Sequence, residues 1–326
     1  MGASPVLVLA GLGIALLAGC IAGVALGAAN LDASTLAKAL FTDSGDPAAE
    51  VIVHSFRIPR VVAALVVGAS LGAAGSLLQS ATRNPLGDPQ LFGLGGGAAI
   101  VQALAMAGVI GTGAWMVASL SVIAAVVGAL LIFLLASREN LTPARLALIG
   151  VSVGALTVAI AAAILMHARV FSLQALALFS GSLANRSWDD VTPVIPFLAL
   201  GIAMAVVAAG RLNLLVLGDR LAGQLGASPR STRLVALVSA GVLAGAGVSL
   251  AGVVGFVGLL TPHVVRLFLG NDARIVMAVS VPAGALVVLY ADQLARLALM
   301  PAEIPVGLVT TVLGAPLMIW VARRLQ

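Results

Sequence analysis

Few residues in this chain are equipped for covalent or redox chemistry. Its three histidines, His54, His167 and His263, stand far apart, with none of the short spacings by which side chains gather a metal ion. Cys20 is the only cysteine, so no internal disulfide can form, and it sits in an apolar run where packing is its expected role. Lys38, the only lysine, lies between Ala37 and Ala39, so the Gly-Lys-Ser/Thr of a phosphate-cradling loop is absent. No Ser-His-Asp set can be assembled either. The expectation is a chain with no catalytic residue, no metal site and no cofactor of its own. What remains is the stretch Leu212–Arg233, LNLLVLGDRLAGQLGASPRSTR, a polar island between two long apolar runs. It carries Asp219, Arg220, Gln224, Arg230 and Arg233. Its centre, from Gly218 to Gly226, predicts a short helix that starts and stops on glycine. Such a segment is either an idle solvated loop or a handle by which another protein moves this one.

The elements that must hold this island belong to a membrane. Hydrophobic residues make up 61% of the chain and charged residues 9%, far too little charge for a soluble surface. Lipid admits helices or closed barrels. Alternating strand patterns are absent, and apolar runs of about 20 residues, rich in Ala, Leu, Val and Gly, fit spanning helices. The expected spans are about 5–28, 58–80, 91–109, 114–136, 145–167, 190–210, 233–251, 253–269, 275–297 and 304–322. The break near Ala251 has no polar marker. The first run, Val6–Ala28, has no basic residue before it, which argues against a cleaved signal peptide. The expected fold is an all-α polytopic membrane protein, one domain over residues 1–326; its count of about ten transmembrane helices rests in part on the resemblance given below.

Charge orients these spans. With the N-terminus in the cytoplasm, Arg83, Arg138, Arg145, Arg211, Arg220, Arg230, Arg233, Arg266, Arg274, Arg323 and Arg324 fall inside. Lys38, Arg57, Arg60, Arg169, Arg186 and Arg296 fall outside, as the positive-inside rule asks. Most acids, Asp43 and Glu303 among them, are also outside. The polar island is then cytoplasmic. Carboxylates in mid-membrane, which an ion-coupled carrier needs, are scarce. Asp292 comes nearest and pairs naturally with Arg296 one turn on. Gly68, Gly72 and Gly75 share one helix face, as do Gly241, Gly245 and Ser249, a spacing that lets backbones approach. Gly150, Gly154, Thr157 and Ala161 form a similar stripe that suits either a partner helix or a pore. Polar breaks at Arg83-Asn84-Pro85 and Thr261-Pro262-His263 rhyme between the halves and suggest an inverted repeat.

Taken in order, the motifs resemble the permeases of type II ABC importers for iron-siderophores, haem and vitamin B12. They run from Arg57-Ile58-Pro59-Arg60 through Gly68-Ala69-Ser70-Leu71, Gln79, Arg83-Asn84-Pro85-Leu86, Pro89 and Gly93–Ala98. They continue with Leu217-Gly218, Leu225-Gly226, Gly255-Phe256-Val257-Gly258-Leu259 and Pro262-His263-Val264-Val265-Arg266. Ala291-Asp292 with Arg296, Glu303-Ile304-Pro305-Val306-Gly307 and Gly314-Ala315-Pro316 complete the set. The resemblance covers essentially the whole chain.

It implies a ten-helix subunit of a bacterial inner membrane, with both termini cytoplasmic, working beside a second permease subunit. Two cytoplasmic ATPase subunits, which hold ATP and Mg, would bind below, and a periplasmic or lipid-anchored binding protein would deliver the substrate. Residues 212–233 become the coupling segment, with Leu217, Gly218, Asp219, Arg220, Leu221, Gln224, Leu225 and Gly226 meeting the ATPase. Asp219, Arg220 and Gln224 are its polar contacts, and Leu221 and Leu225 its apolar anchors. Arg57 and Arg296 match positions that meet acidic residues of the binding protein. Gly150, Gly154, Thr157 and Ala161 fall on the helix that lines the path. Pro143 and Ala144 stand where cobalamin members tend to place hydroxyls, which tilts the substrate toward a ferric siderophore. The stretch Ser180–Leu183 with Asn185–Trp188 points the same way, and Arg169 and Arg186 suit an anionic chelate. Haem or vitamin B12 import is the alternative within the class. An ion-coupled secondary carrier and a membrane protein of efflux or scaffold type are the alternatives outside it. No nucleic-acid role is expected.

Overall fold

Backbone groups in lipid find no water, so each segment must satisfy them internally, and this chain does so with helices. A computed structural model describes residues 4–27, 31–42, 46–137, 142–170, 173–300 and 302–324. Ala28, Asp43 and Arg138 lie outside the described residues. The helices are α1 (Pro5–Ala25), α2 (Ala33–Phe41), α3 (Pro47–Val51), α4 (Ile58–Thr82), α5 (Gly96–Met106), α6 (Ala114–Ala136), α7 (Pro143–His167) and α8 (Leu173–Ser180). They continue as α9 (Trp188–Val191), α10 (Ile195–Val216), α11 (Asp219–Gln224), α12 (Pro229–Ala251), α13 (Val257–Leu269), α14 (Ala273–Leu297) and α15 (Val306–Arg324). A π-helical turn, Ile52–Arg57, joins α3 to α4.

Among the described residues, seven helical stretches are long and apolar enough to cross a membrane, and α5, α13 and most of α15 are shorter apolar helices. Together they occupy the ten stretches that hydropathy marks. The unmarked break near Ala251 becomes clear: Gly252 (φ 70°) ends α12 and Phe256 (φ 68°) precedes α13. The two short helices, α5 and α13, each follow an irregular segment after a long helix; Arg83-Asn84-Pro85 falls at the first of these breaks, whereas Thr261-Pro262-His263 lies within α13.

Two helices form the centre. The apolar windows of α4 and α12 are 89% and 78% buried, against 11% for α1. What lets α4 sit so deep is the absence of side chains on one face. A Cβ at Gly68 would lie 2.2 Å from the Gly284 carbonyl oxygen, one at Gly72 2.1 Å from that of Ser280, and one at Gly75 1.9 Å from that of Gly258. Backbone therefore meets backbone along α4, α14 and α13, the contact by which helices associate in lipid. The stripe on α12 works the same way: a Cβ at Gly245 would press on Ala125 Cβ at 2.8 Å.

Gly72→Leu should force α4 and α14 apart and cost about 1–3 kcal/mol or more, read as a lower thermal midpoint in detergent. Gly128 of α6 faces open space, so Gly128→Ala should leave the midpoint within about 0.5 kcal/mol equivalent. Equal midpoints for the two variants would remove the close-approach account.

Candidate functional site

The polar island folds as its glycines predict. Gly218 (φ 100°) opens α11, and Gly226 (φ 84°) closes the turn after it. Ala222 is fully buried, while Leu217, Leu221 and Leu225 remain 54%, 52% and 59% exposed. Arg220 and Gln224 are exposed as well. An apolar ridge with polar flanks thus stands out from one end of the bundle, uncovered by any of the described residues.

Asp219, its side chain 44% exposed, is also held from within the chain. Arg233 grips its carboxylate with both terminal nitrogens, Nη1 to Oδ2 at 2.7 Å and Nη2 to Oδ1 at 2.8 Å. Arg83 donates to the same Oδ1. Arg233 is 1% exposed and also donates from Nε to the Ala81 carbonyl at 3.2 Å. Arg83 is the left-handed residue (φ 48°) that ends α4. The first residue of α11 is therefore clamped to α12 and to the end of α4. These hydrogen bonds, led by those from Arg233, hold the Asp219 carboxyl below the usual carboxylate range. Arg233 was visible in the sequence as a charge within the island. Its grip on Asp219 was not, and neither was the role of Arg83.

From Arg83 the clamp continues into the segment between α4 and α5. Asp88 is buried, and its Oδ1 accepts from the backbone N–H groups of Gln90 (2.8 Å) and Leu91 (3.2 Å). Gly93 (φ 69°) then lies against the backbone of Gly154, 2.5 Å from where its Cβ would be. Gln79 and Arg266 tie α4 to α13: Gln79 Nε2 donates to the Gly258 and Leu259 carbonyls, and Arg266 Nη1 donates to Gln79 Oε1. His263, one turn before Arg266, is 6% exposed and part of this packing.

The stripe on α7 faces this segment. Gly150 meets Phe92, Gly154 meets Gly93, Thr157 meets Gly96, and Ala161 is fully buried. These four residues are packing surface in this structure and do not border open space. The open volume lies one helix face away, a cavity of about 340 Å³ bounded by Leu91, Val158, Phe179, Phe256 and Leu308, with Asp88 at its edge. The sequence left packing and path lining both open for this stripe, because the two use the same small residues; within this chain the stripe packs on residues 92–96.

At the opposite end, Arg57 and Arg296 are 5% and 8% exposed. Arg57 Nη1 donates to the Val24 and Ala25 carbonyls at 2.7 and 2.9 Å. Arg296 Nη2 donates to Gly23 at 3.2 Å and Nη1 to Leu26 at 3.4 Å. Both guanidiniums thus satisfy the orphan carbonyls at the end of α1. Arg296 does lie 3.3 Å from Asp292, as the sequence suggests. The tighter partner of Asp292 is Arg60, which holds it from Nε and Nη2 and reaches Glu303 from Nη1 at 2.9 Å. Nothing in the sequence flags that bridge, because its partners are 232 and 243 residues away. Arg186 lies 3.7 Å from Asp190 and lines a separate cavity with Gln102 and Ser249.

Two outcomes follow from this geometry. Asp219→Asn should leave the buried Arg233 without its counter-charge and cost about 1–3 kcal/mol, discounted because the carboxylate side is half exposed. Since the Asp219 pKa is depressed, its stabilisation is present above the ordinary value of 3.8 and is lost as pH falls below it. The variant should lack that acid-side loss, which denaturation midpoints measured against pH will show. Arg57→Gln should lower the thermal midpoint of the isolated chain, by about 1–3 kcal/mol, for two lost charged hydrogen bonds. A residue that only met an external partner would leave it unchanged.

The comparisons with known proteins agree with this architecture. The chain is 34% identical over 92% of its length to the Fe(3+)-citrate import system permease protein YfmD of Bacillus subtilis (strain 168), covering 90% of that protein. It is 34% identical to the hemin transport system permease protein HmuU of Yersinia pestis, with 92% of each chain covered. It is 37% identical to the vitamin B12 import system permease protein BtuC of Vibrio cholerae, over 84% of this chain and 83% of that one. A solved transporter of the metal-chelate ABC type, in an inward-facing conformation, superposes with a TM-score of 0.85 at 26% identity, covering 98% of this chain and all of the other. The model of the FecCD transport family matches residues 15–324, and the chain belongs to that family as a membrane-spanning permease of the ABC importer kind.

Proposed function

We propose that this chain is the membrane path of an ATP-driven importer for a ferric-siderophore-type chelate. The observation that carries the reading is the clamp on α11. An exposed apolar ridge, Leu217, Leu221 and Leu225, is joined without a flexible link to the core helices α4 and α12 through Asp219. A ridge that none of the described residues covers suits a groove on a partner protein. A rigid joint turns movement of that partner into movement of α4. From Arg83 the same contacts run through residues 84–95 to α7 and to the cavity edge at Leu91 and Val158.

In this reading two cytoplasmic ATPase subunits, holding ATP and Mg, seat α11. A second permease subunit, identical or related, completes the path. A binding protein delivers the chelate at the far end, where Arg57, Arg60, Arg296, Asp292 and Glu303 cluster. The α11 end and both termini are cytoplasmic, and the membrane is the bacterial inner membrane. The chelate passes the cavity bordered by Val158 and Leu308, with the stripe of Gly150, Gly154, Thr157 and Ala161 as the seam against which α7 slides. No bond in the substrate is made or broken; partner hydrolysis drives alternating access. Support for an iron chelate comes from relatives named for Fe(3+)-citrate and Fe(3+)-hydroxamate import.

Proteoliposomes holding the permease, its ATPase and its binding protein should take up ferric chelate when ATP is supplied, and uncouplers should not stop them. Uptake by the permease alone on an ion gradient would overturn the mechanism. Retention of cobalamin or haem, and not ferric chelates, by the cognate binding protein would overturn the substrate. Leu221→Asp with Leu225→Asp should weaken ATPase co-purification about tenfold or more, with the thermal midpoint of the permease unchanged, since both side chains are exposed.

A further inference from the structure

Beside the clamp, on the same end of the bundle, lies a cavity of about 280 Å³ that the transport reading does not use. Arg83, Arg266, Ser80, Asn271 and Val216 are among the residues that line it. Arg266 is largely withdrawn from solvent, and its hydrogen bonds run to two neutral oxygens, Gln79 Oε1 and Ser80 Oγ. Among the described residues no carboxylate stands within 4.0 Å of it. Arg83 has only Asp219, which it shares with the fully buried Arg233. Arg83 and Arg233 thus share one carboxylate, and Arg266 beside them has none within 4.0 Å among the described residues. A partly buried cation without a counter-charge is costly, and the cost is relieved by an anion that arrives from outside.

The cavity also says which anion. A guanidinium presents parallel N–H donors that match phosphate oxygens, and the Asn271 amide adds a neutral donor on the same wall. The apolar side chain on its wall is open: Val216 is 58% exposed, and Leu267, next to Arg266 in the chain, is 57% exposed. Charged donors in a recess with an apolar rim at the end of a spanning bundle match a phosphodiester whose tails lie along the helices. We propose that this cavity is a phosphate site, occupied by the headgroup of an anionic phospholipid. Because Arg83 both lines the cavity and holds Asp219, the lipid draws on the same guanidinium that fixes α11, so membrane composition tunes the clamp.

The test uses the full-length chain purified in detergent. It is incubated with phosphatidylglycerol, phosphatidylcholine or inorganic phosphate, and read by native mass spectrometry and thermal midpoint. The wild type should retain phosphatidylglycerol at least about tenfold over phosphatidylcholine, and Arg266→Gln should lose that preference by a similar factor. Asn271→Asp places a carboxylate inside the cavity without touching the Arg266–Gln79 contact. It should abolish retention with an unchanged or raised midpoint, which guards against misfolding of the first variant. If inorganic phosphate alone reproduces the stabilisation and phosphatidylglycerol adds nothing, the phosphate site stands with the free anion as its source. Equal retention of the two lipids with no phosphate effect overturns the proposal, and so does unchanged phosphatidylglycerol binding in both variants. It also falls if neither phosphate form binds and Arg266→Gln instead weakens only ATPase docking, since the cavity would then seat an acidic side chain.

Discussion

A helix enclosed by protein on every side can move only with its neighbours, and α4 is such a helix. Lipid gives apolar helices no hydrophobic reason to associate, since its tails are as apolar as leucine. Cohesion has to come from close contact, and close contact requires that side chains be missing. Gly68, Gly72 and Gly75 bring the α4 backbone against the carbonyls of Gly284, Ser280 and Gly258. The result is a rigid unit of α4, α13 and α14, with α12 packed beside it.

The polar groups divide their work around that unit. At one end, Arg60 bridges Asp292 and Glu303 across α4, α14 and the segment that leads to α15, while Arg57 and Arg296 close off the carbonyls of α1. At the other end, Arg233 and Arg83 fasten α11 through one carboxylate. Charges so placed could not be idle decoration, because an unpaired charge at these depths is costly. The first cluster fixes the loosely buried α1 and the approach to α15. The second makes a short surface helix part of the core.

This arrangement separates two surfaces of α11 that the linear sequence presents together. Its apolar ridge is free to meet a partner, and its leading carboxylate is engaged inward. Force applied to the ridge passes into α4 and α12 without an intervening loop. Beyond Arg83 the chain runs irregularly against the helices, where Asp88 caps its turn and Gly93 docks on Gly154. The same irregular segment carries Leu91 to the cavity, so the exposed ridge and that cavity share one continuous set of contacts.

Sequence alone determined the membrane class, the ten apolar stretches, the glycine-bounded helix at 218–226 and the family. Each depends on composition or short-range order: run length, turn formers and motifs in series. It did not determine which face of a helix meets protein. In lipid, a face against acyl chains and a face against another helix are equally apolar, so periodicity that would mark a core in water marks nothing here. The stripe on α7 therefore suited packing and pore alike until the structure set it against residues 92–96, and the hydrogen bonds of Arg57 and Arg296 to the end of α1 left no mark in the sequence. Only the tertiary structure decided that Asp219 belongs to Arg233 and Arg83, and that Asp292 belongs chiefly to Arg60. Those pairings join residues up to 232 positions apart, and they follow from how the glycine-faced helices stack, which no local pattern records.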